Sequence, residues 1–236
     1  MKVEVFADAD SVAKQAAATV AAEARAAIAA RGRFVMAVSG GHTPWLMLRA
    51  LAHEDMPWEA VHLMQVDERV APAGDPDRNL THLLESLQEL DSLSPDHIHA
   101  MPVEAPDLQL AAAQYATTLN QIVGSPAVLD LVHLGLGPDG HTASLVPGDP
   151  VLEVTDADVA ITGVYQKRRR MTLTYPVINR ARQVLWLVTG KDKAEMVSRL
   201  RAGDISIPGG RIQQERALML ADRAAANPDY KSAKKE

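Results

Sequence analysis

Short apolar runs alternate with amphipathic stretches along most of the chain. Lys2–Phe6 alternates polar and apolar positions and predicts a short edge strand. Phe34–Val38, residues 61–66, residues 128–134 and Gln183–Val188 are compact apolar runs of the length expected for buried strands. Residues 217–220 predict a last strand that ends at Asp222. An Ala-rich stretch opened by Asp10 or Ser11 predicts a long helix to Arg31, with Gly32 as its left-handed stop. Thr43 followed by Pro44 reads as N-cap and first residue of a helix to about Ala52. Further helices are expected over residues 79–87, over 107–123 with Asp107 as cap, and over 192–201. Residues 90–106, punctuated by prolines, predict an irregular connection with a short strand near Ile98. Residues 159–165 and 171–174 predict strands flanking the basic run 167–170, in which Arg170 alone is a candidate for function.

Strands alternating with helices predict a three-layer α/β architecture, a mainly parallel, doubly wound (Rossmann-like) sheet with helices on both faces. The expected organisation is one domain over residues 1–226 and a polar tail over 227–236. In such a sheet chemistry collects at the carboxyl ends of the strands, and here four of those ends carry polar, charged or glycine-bearing clusters. The first is Ser39-Gly40-Gly41-His42-Thr43-Pro44. Paired glycines ahead of a helix start let backbone amides approach an anion, and the helix dipole favours negative charge there. The Ser39 and Thr43 hydroxyls add two donors, although an ordinary tight turn with a capping Thr explains the same residues. No Gly-Lys-Ser/Thr follows, so this is not a Walker loop.

The second cluster, Asp67-Glu68-Arg69, is either a solvated ion pair or, beside a phosphate site, an anion ligand in Arg69. Asp67 is then positioned to orient a catalytic group or to bind sugar hydroxyls. The third is Thr189-Gly190-Lys191. A lysine in a first helical turn opposes the helix dipole unless it meets an anion, which makes Lys191 a candidate phosphate ligand.

The fourth cluster is the loop GLGPDGHTASLVPG over residues 135–148. Residues 135–140 match the dinucleotide pattern GxGxxG, but that pattern needs a continuing helix, and Pro147, Gly148 and Pro150 leave no room for one. The glycines, Gly137 and Gly140 among them, are expected to let the loop pass close to a bound small molecule. Their amides are candidate oxyanion donors, and Asp139 between them is a candidate substrate ligand. His141 stands on the loop itself, where an imidazole of ordinary pKa about 6.5 can take a proton at neutral pH. His133 falls inside the apolar run and reads as a core residue. No second His or carboxylate stands at metal-ligand spacing from His141, so no metal is expected.

Composition narrows the classes. Of 236 residues, 47% are hydrophobic and none is Cys, which excludes a disulfide framework and a thiolate site. A formal charge of −6 argues against nucleic acid as partner. The acidic N-terminal stretch and the shortness of the apolar runs give no signal peptide and no membrane segment, so the expected compartment is the cytoplasm. The abundant alanine reads as genome bias and helix content and carries no functional signal.

Taken together and in order, Ser39-Gly40-Gly41-x-Thr43-Pro44, Val66-Asp67-Glu68-Arg69 with Asp77-Arg78-Asn79, the 135–148 loop, Arg170-Met171-Thr172-Leu173-Thr174 with Asn179, and Thr189-Gly190-Lys191 are specific. Over nearly its whole length the chain resembles the 6-phosphogluconolactonases, within the wider family that includes the glucosamine-6-phosphate deaminases/isomerases. The resemblance implies hydrolysis of 6-phospho-D-glucono-1,5-lactone to 6-phosphogluconate, a lactone-ester hydrolysis and the second step of the pentose phosphate pathway, with no obligatory cofactor. It implies His141 as general base, Asp67 as an orienting or substrate-binding acid, and Arg69, Lys191 and the 39–43 loop (Ser39, Gly40, Gly41, Thr43) as holders of the 6-phosphate. The partner expected is that small molecule alone, with the chain a monomer or weak homodimer. A Ser commonly precedes the Asn of the Asp-x-x-Asn stretch in that pattern, and Arg78 stands there instead, its role open. A deaminase/isomerase is the alternative within the fold, although those proteins usually continue the Asp-Glu pair with Tyr rather than Arg69. A non-catalytic phosphosugar-binding domain is the alternative outside it.

Overall fold

A computed structural model describes residues 1–88, 90 and 92–227. The expected polar tail beyond Asn227 lies outside the described residues. The chain runs β1 (Lys2–Phe6), α1 (Ala9–Arg31), β2 (Phe34–Val38), α2 (His42–Leu51), β3 (Val61–Gln65), β4 (Asp67–Arg69), α3 (Asn79–Ser86), β5 (Ile98–His99) and α4 (Leu108–Val123). It continues through β6 (Leu131–Leu134), β7 (Val159–Ile161), β8 (Arg170–Leu173), α5 (Tyr175–Arg180), β9 (Gln183–Val188), α6 (Ala194–Arg201), β10 (Ala217–Asp222) and α7 (Arg223–Ala226).

Seven strands form one sheet in the order β1-β10-β9-β6-β2-β3-β5, and every pairing is parallel. The period-2 alternation of strand side chains builds two cores. Val35 and Ala37 of β2 and Val184, Trp186 and Val188 of β9 face one side, against α4, α5 and α6. Phe34, Met36 and Val38 with Leu185 and Leu187 face the other, against α1, α2 and α3. Six of the alanines of α1 (Ala13, Ala16, Ala17, Ala21, Ala24 and Ala27) line the stripe by which the helix packs on the sheet.

Two helix starts in the N-terminal half differ from the expected ones. The cap of α1 is Asp8, whose carboxylate accepts from the Ser11 amide at 2.8 Å, so Asp10 and Ser11 lie inside the helix. Helix α2 begins at His42 behind Gly41, which places Thr43 in the first turn rather than at the cap. Gly32 and Asp107 cap as expected.

A second sheet, antiparallel and in the order β4-β8-β7, stands beside the first. Its first strand is Asp67-Glu68-Arg69, expected as the open end of β3. These charges form a strand because their backbone pairs with Arg170–Thr172 while buried partners meet the carboxylates of Asp67 and Glu68.

Candidate active site

Strand β2 pairs with β3 on one side and β6 on the other, so the chain order reverses between β2 and β6. Ligands of open α/β sheets bind outside such a reversal, at the carboxyl ends of the strands. A cleft of about 350 Å³ lies there, lined by the loops after β2, β6 and β9 and by β4 and β8.

The β2 loop is fixed from below. The Ser39 amide donates to His133 Nδ1 at 3.2 Å and its hydroxyl donates to the His133 carbonyl at 3.0 Å. Burial holds the His133 imidazole far below its ordinary pKa, at about 3, so it stays a neutral acceptor. No side chain caps α2, which leaves first-turn amides available to an anion. Thr43 Oγ1 lies 2.7 Å from Thr189 Oγ1 and ties the β2 loop to the β9 loop.

The two acids of β4 have different tasks. Glu68 is fully buried and structural: it accepts from the amides of Arg69, Asn79 and Leu80 and from Gln65 Nε2, each at 2.8 Å, and pairs with Arg78 at 3.2 Å. Arg78 also reaches the Ala71 carbonyl and Glu104, so its role is to close this buried network. Asp67 lines the cleft, its carboxylate held by Ser144 Oγ at 2.6 Å and Asn79 Nδ2 at 3.3 Å. Arg69 lines the cleft as well, steadied by a 2.6 Å bond to the Asp77 carbonyl. Arg69 Nε, Asn79 Oδ1 and Arg170 Nε are buried without a hydrogen-bond partner, so three cleft residues retain unused polar capacity.

His141 enters from the β6 loop. Its Nδ1 lies 2.5 Å from Asp139 Oδ1, which also accepts the His141 amide at 3.1 Å. Burial alone would raise the Asp139 carboxyl, but the His141 amide and imidazole hold it below the usual carboxylate range. An ionised Asp139 fixes the proton on Nδ1 and leaves Nε2 as the free lone pair. The turn is tight: Gly137 N–H donates to the His141 carbonyl at 2.8 Å and Gly140 N–H to the Gly137 carbonyl at 3.0 Å. Both amides are thereby committed to the loop itself and are not the expected oxyanion donors.

A family profile for glucosamine-6-phosphate isomerases/6-phosphogluconolactonase matches residues 7–220. The chain belongs to this family. It is 38% identical over 191 residues to the 6-phosphogluconolactonase of Synechocystis sp., covering 78% of this chain and 76% of that one. It is 35% identical to the 6-phosphogluconolactonase of Streptomyces coelicolor, over 94% of this chain and 92% of that one. In fold it matches the crystal structure of the 6-phosphogluconolactonase of Thermotoga maritima at a TM-score of 0.83 and 22% identity, covering 94% of this chain and 98% of that one.

Of the residues the sequence nominates for this family's site, Ser39, Gly40, Gly41, Thr43, Asp67, Arg69, Gly137, His141 and Arg170 line the cleft. Asp67 makes no hydrogen bond to His141; the acid that holds the imidazole is Asp139, which is exposed and does not line the cleft, so it orients the imidazole where a substrate ligand is expected. Gly140 is packed on Ile207, where a Cβ would lie 2.7 Å away, so it serves the loop's packing. Lys191 is exposed and off the cleft, and Lys193 lines it instead. The expected helix start is a single 3-10 turn over Lys191–Lys193, which separates the two lysines. Asn79 and Ser144 reach Asp67 from positions 12 residues or more away, a relation that no local pattern carries. Among the described residues no cluster of three or more His, Cys, Asp or Glu has the geometry to hold a metal.

Proposed function

We infer that this chain is a 6-phosphogluconolactonase, hydrolysing 6-phospho-D-glucono-1,5-lactone to 6-phosphogluconate in the pentose phosphate pathway. Its curated relatives of that name, at 38% and 35% identity, support the activity. The observation that carries the mechanism is the 2.5 Å contact between His141 Nδ1 and Asp139 in a cleft that also holds Arg69, Arg170 and Lys193.

In the mechanism we propose, His141 Nε2 takes a proton from water as the water oxygen attacks the lactone carbonyl carbon. The tetrahedral oxyanion collapses, the bond from that carbon to the ring oxygen breaks, and the imidazolium returns the proton to the departing ring oxygen. A positioned base contributes about 10²–10⁴-fold, enough for an ester as reactive as a lactone. Arg69, Lys193 and the first turn of α2 with Gly40 and Gly41 hold the 6-phosphate, on the loop that Ser39 anchors to His133. Asp67 receives sugar hydroxyls, and the Arg170 guanidinium adds positive field at the oxyanion. The setting we propose is cytoplasmic, as a monomer or weak homodimer over residues 1–226, with a small-molecule substrate and neither nucleic acid nor membrane as partner.

Turnover of 6-phosphogluconolactone above its spontaneous hydrolysis, measured beside turnover of glucosamine 6-phosphate, tests the reading. We expect the first and not the second; deamination of the amino sugar with no lactone acceleration would assign the other activity of the family. Lys193→Ala should raise KM for the lactone about 10-fold or more, the loss of one charged hydrogen bond, while Lys191→Ala leaves it unchanged. The reverse pattern would return the phosphate to Lys191.

A further inference from the structure

The Asp139 carboxylate has two oxygens, and only Oδ1 meets His141. The other, Oδ2, accepts from the Tyr165 hydroxyl at 3.3 Å. The Tyr165 ring lies edge-on to the His141 imidazole, centroids 5.5 Å apart, and its face carries the Arg170 guanidinium at 4.9 Å. One side chain therefore touches the base, the acid that orients it and a cation of the cleft.

Tyr165 is held by a hairpin turn that the rest of the protein over-determines. Tyr165 and Arg168 exchange backbone hydrogen bonds at 2.9 and 3.2 Å across Gln166 and Lys167, whose φ values are 49° and 70°. A two-residue turn of this hand favours Asn or Gly at such positions, and residues of other types are seldom found there. The conformation is pinned from both sides: Arg168 reaches Asp75 at 3.0 Å and Asp77 at 2.9 Å, and Arg170 reaches Gln166 Oε1 at 3.0 Å. Backbone forced into a sparsely populated region and fixed there by surrounding contacts is characteristic of functional sites.

We propose that Tyr165 is a positioning residue for the base, its hydroxyl fixing the outer oxygen of Asp139 and its ring buttressing the His141 imidazole. This rests on the reading of His141 as general base. Burial, then the Asp139 charge, raise the Tyr165 phenol above its ordinary range, so the hydroxyl keeps its proton and remains the donor. The other charged groups around the base are Asp67 and Arg69 on β4, Arg170 on β8 and Lys193 ahead of α6, and none of them hydrogen-bonds to His141 or Asp139. The Tyr165 hydroxyl is thus the side-chain donor on Asp139 from outside its own loop.

Tyr165→Phe removes the hydroxyl and keeps the ring. Without that donor the Asp139 charge falls more fully on the His141 Nδ1 proton and favours the imidazolium. The His141 titration followed by NMR should therefore move up by about half a pH unit, and the acid limb of kcat/KM should move with it. Turnover at the pH plateau should fall about 3- to 10-fold, the loss of one hydrogen bond, with KM within a factor of two. A His141 titration that superimposes on that of the wild type would overturn the proposal. So would a rise in KM at unchanged kcat, which would make Tyr165 a substrate contact. If His141→Ala retained full turnover the base reading would fail, whereas the NMR titration of Tyr165→Phe would still report whether Tyr165 acts on the Asp139–His141 pair.

Discussion

A Cβ on Gly137 would lie 2.1 Å from His141 Nδ1 and 2.8 Å from Asp139 Oδ1. The imidazole is packed onto the glycine backbone, and no side chain fits between them. Gly137→Ala must push the base out of place, and a displacement of about 1 Å costs on the order of 10²-fold in rate. We expect a loss of that size in kcat with a thermal midpoint close to that of the wild type, read by steady-state assay and thermal melting; unchanged kcat would mean that the loop does not position the base. In the sequence the glycine pattern signals a close approach, and the approach is real. At Gly137 the group approached is the chain's own His141, a contact set by the closing bond from the Gly137 amide to the His141 carbonyl, which a one-dimensional pattern does not show. Lys191 and Lys193 illustrate the same limit: which lysine faces the cleft depends on one 3-10 turn where a helix start is expected.

Among the elements, β4 departs furthest from what its residues suggest. Three consecutive charged residues read as loop, yet Asp67–Arg69 is a strand paired with β8 about a hundred residues downstream. The pairing holds because Glu68 gathers three backbone amides, a glutamine and Arg78 around one carboxylate. Removing one partner of a buried charged network costs about 3–5 kcal/mol. Glu68→Ala should therefore lower the thermal midpoint by roughly 10 °C in calorimetry, and a change below about 2 °C would show that Glu68 is dispensable to the fold. The same network accounts for Arg78, whose role the sequence alone leaves open. The antiparallel sheet is legible only in part: the runs over 159–165 and 171–174 predict β7 and β8, whereas β4 is three charged residues long and its partner is remote. By contrast β2, β9 and β10 are legible, since each alternates between two cores and each ends at polar residues.

For the whole molecule, the parallel sheet and the reversal between β2 and β6 bring distant strand ends to one cleft, which is why their clusters were informative together and weak singly. The same sheet buries His133, at about 3, and half-buries His62, lowered to about 4 chiefly by burial and then by His97 and His99. Both folded values lie below the unfolded one of about 6.5. Above that pH neither state is charged at these sites; below it the unfolded chain binds protons that the folded chain refuses, so stability falls as pH drops from about 6.5 toward 4. The slope is at most about 1.4 kcal/mol per pH unit for a fully buried histidine, and half-exposed His62 contributes less. The thermal midpoint should decline from pH 6.5 to pH 5, less steeply in His133→Asn, which can still accept the Ser39 amide. A flat or rising wild-type midpoint in that window would contradict the assignment of these histidines as neutral in the fold.

His141 is the residue on which the proposed chemistry turns. Its direct test is kcat of His141→Ala on 6-phosphogluconolactone, corrected for the spontaneous reaction. We predict a fall of about 10²-fold or more with little change in KM; turnover near that of the wild type would contradict the general-base mechanism.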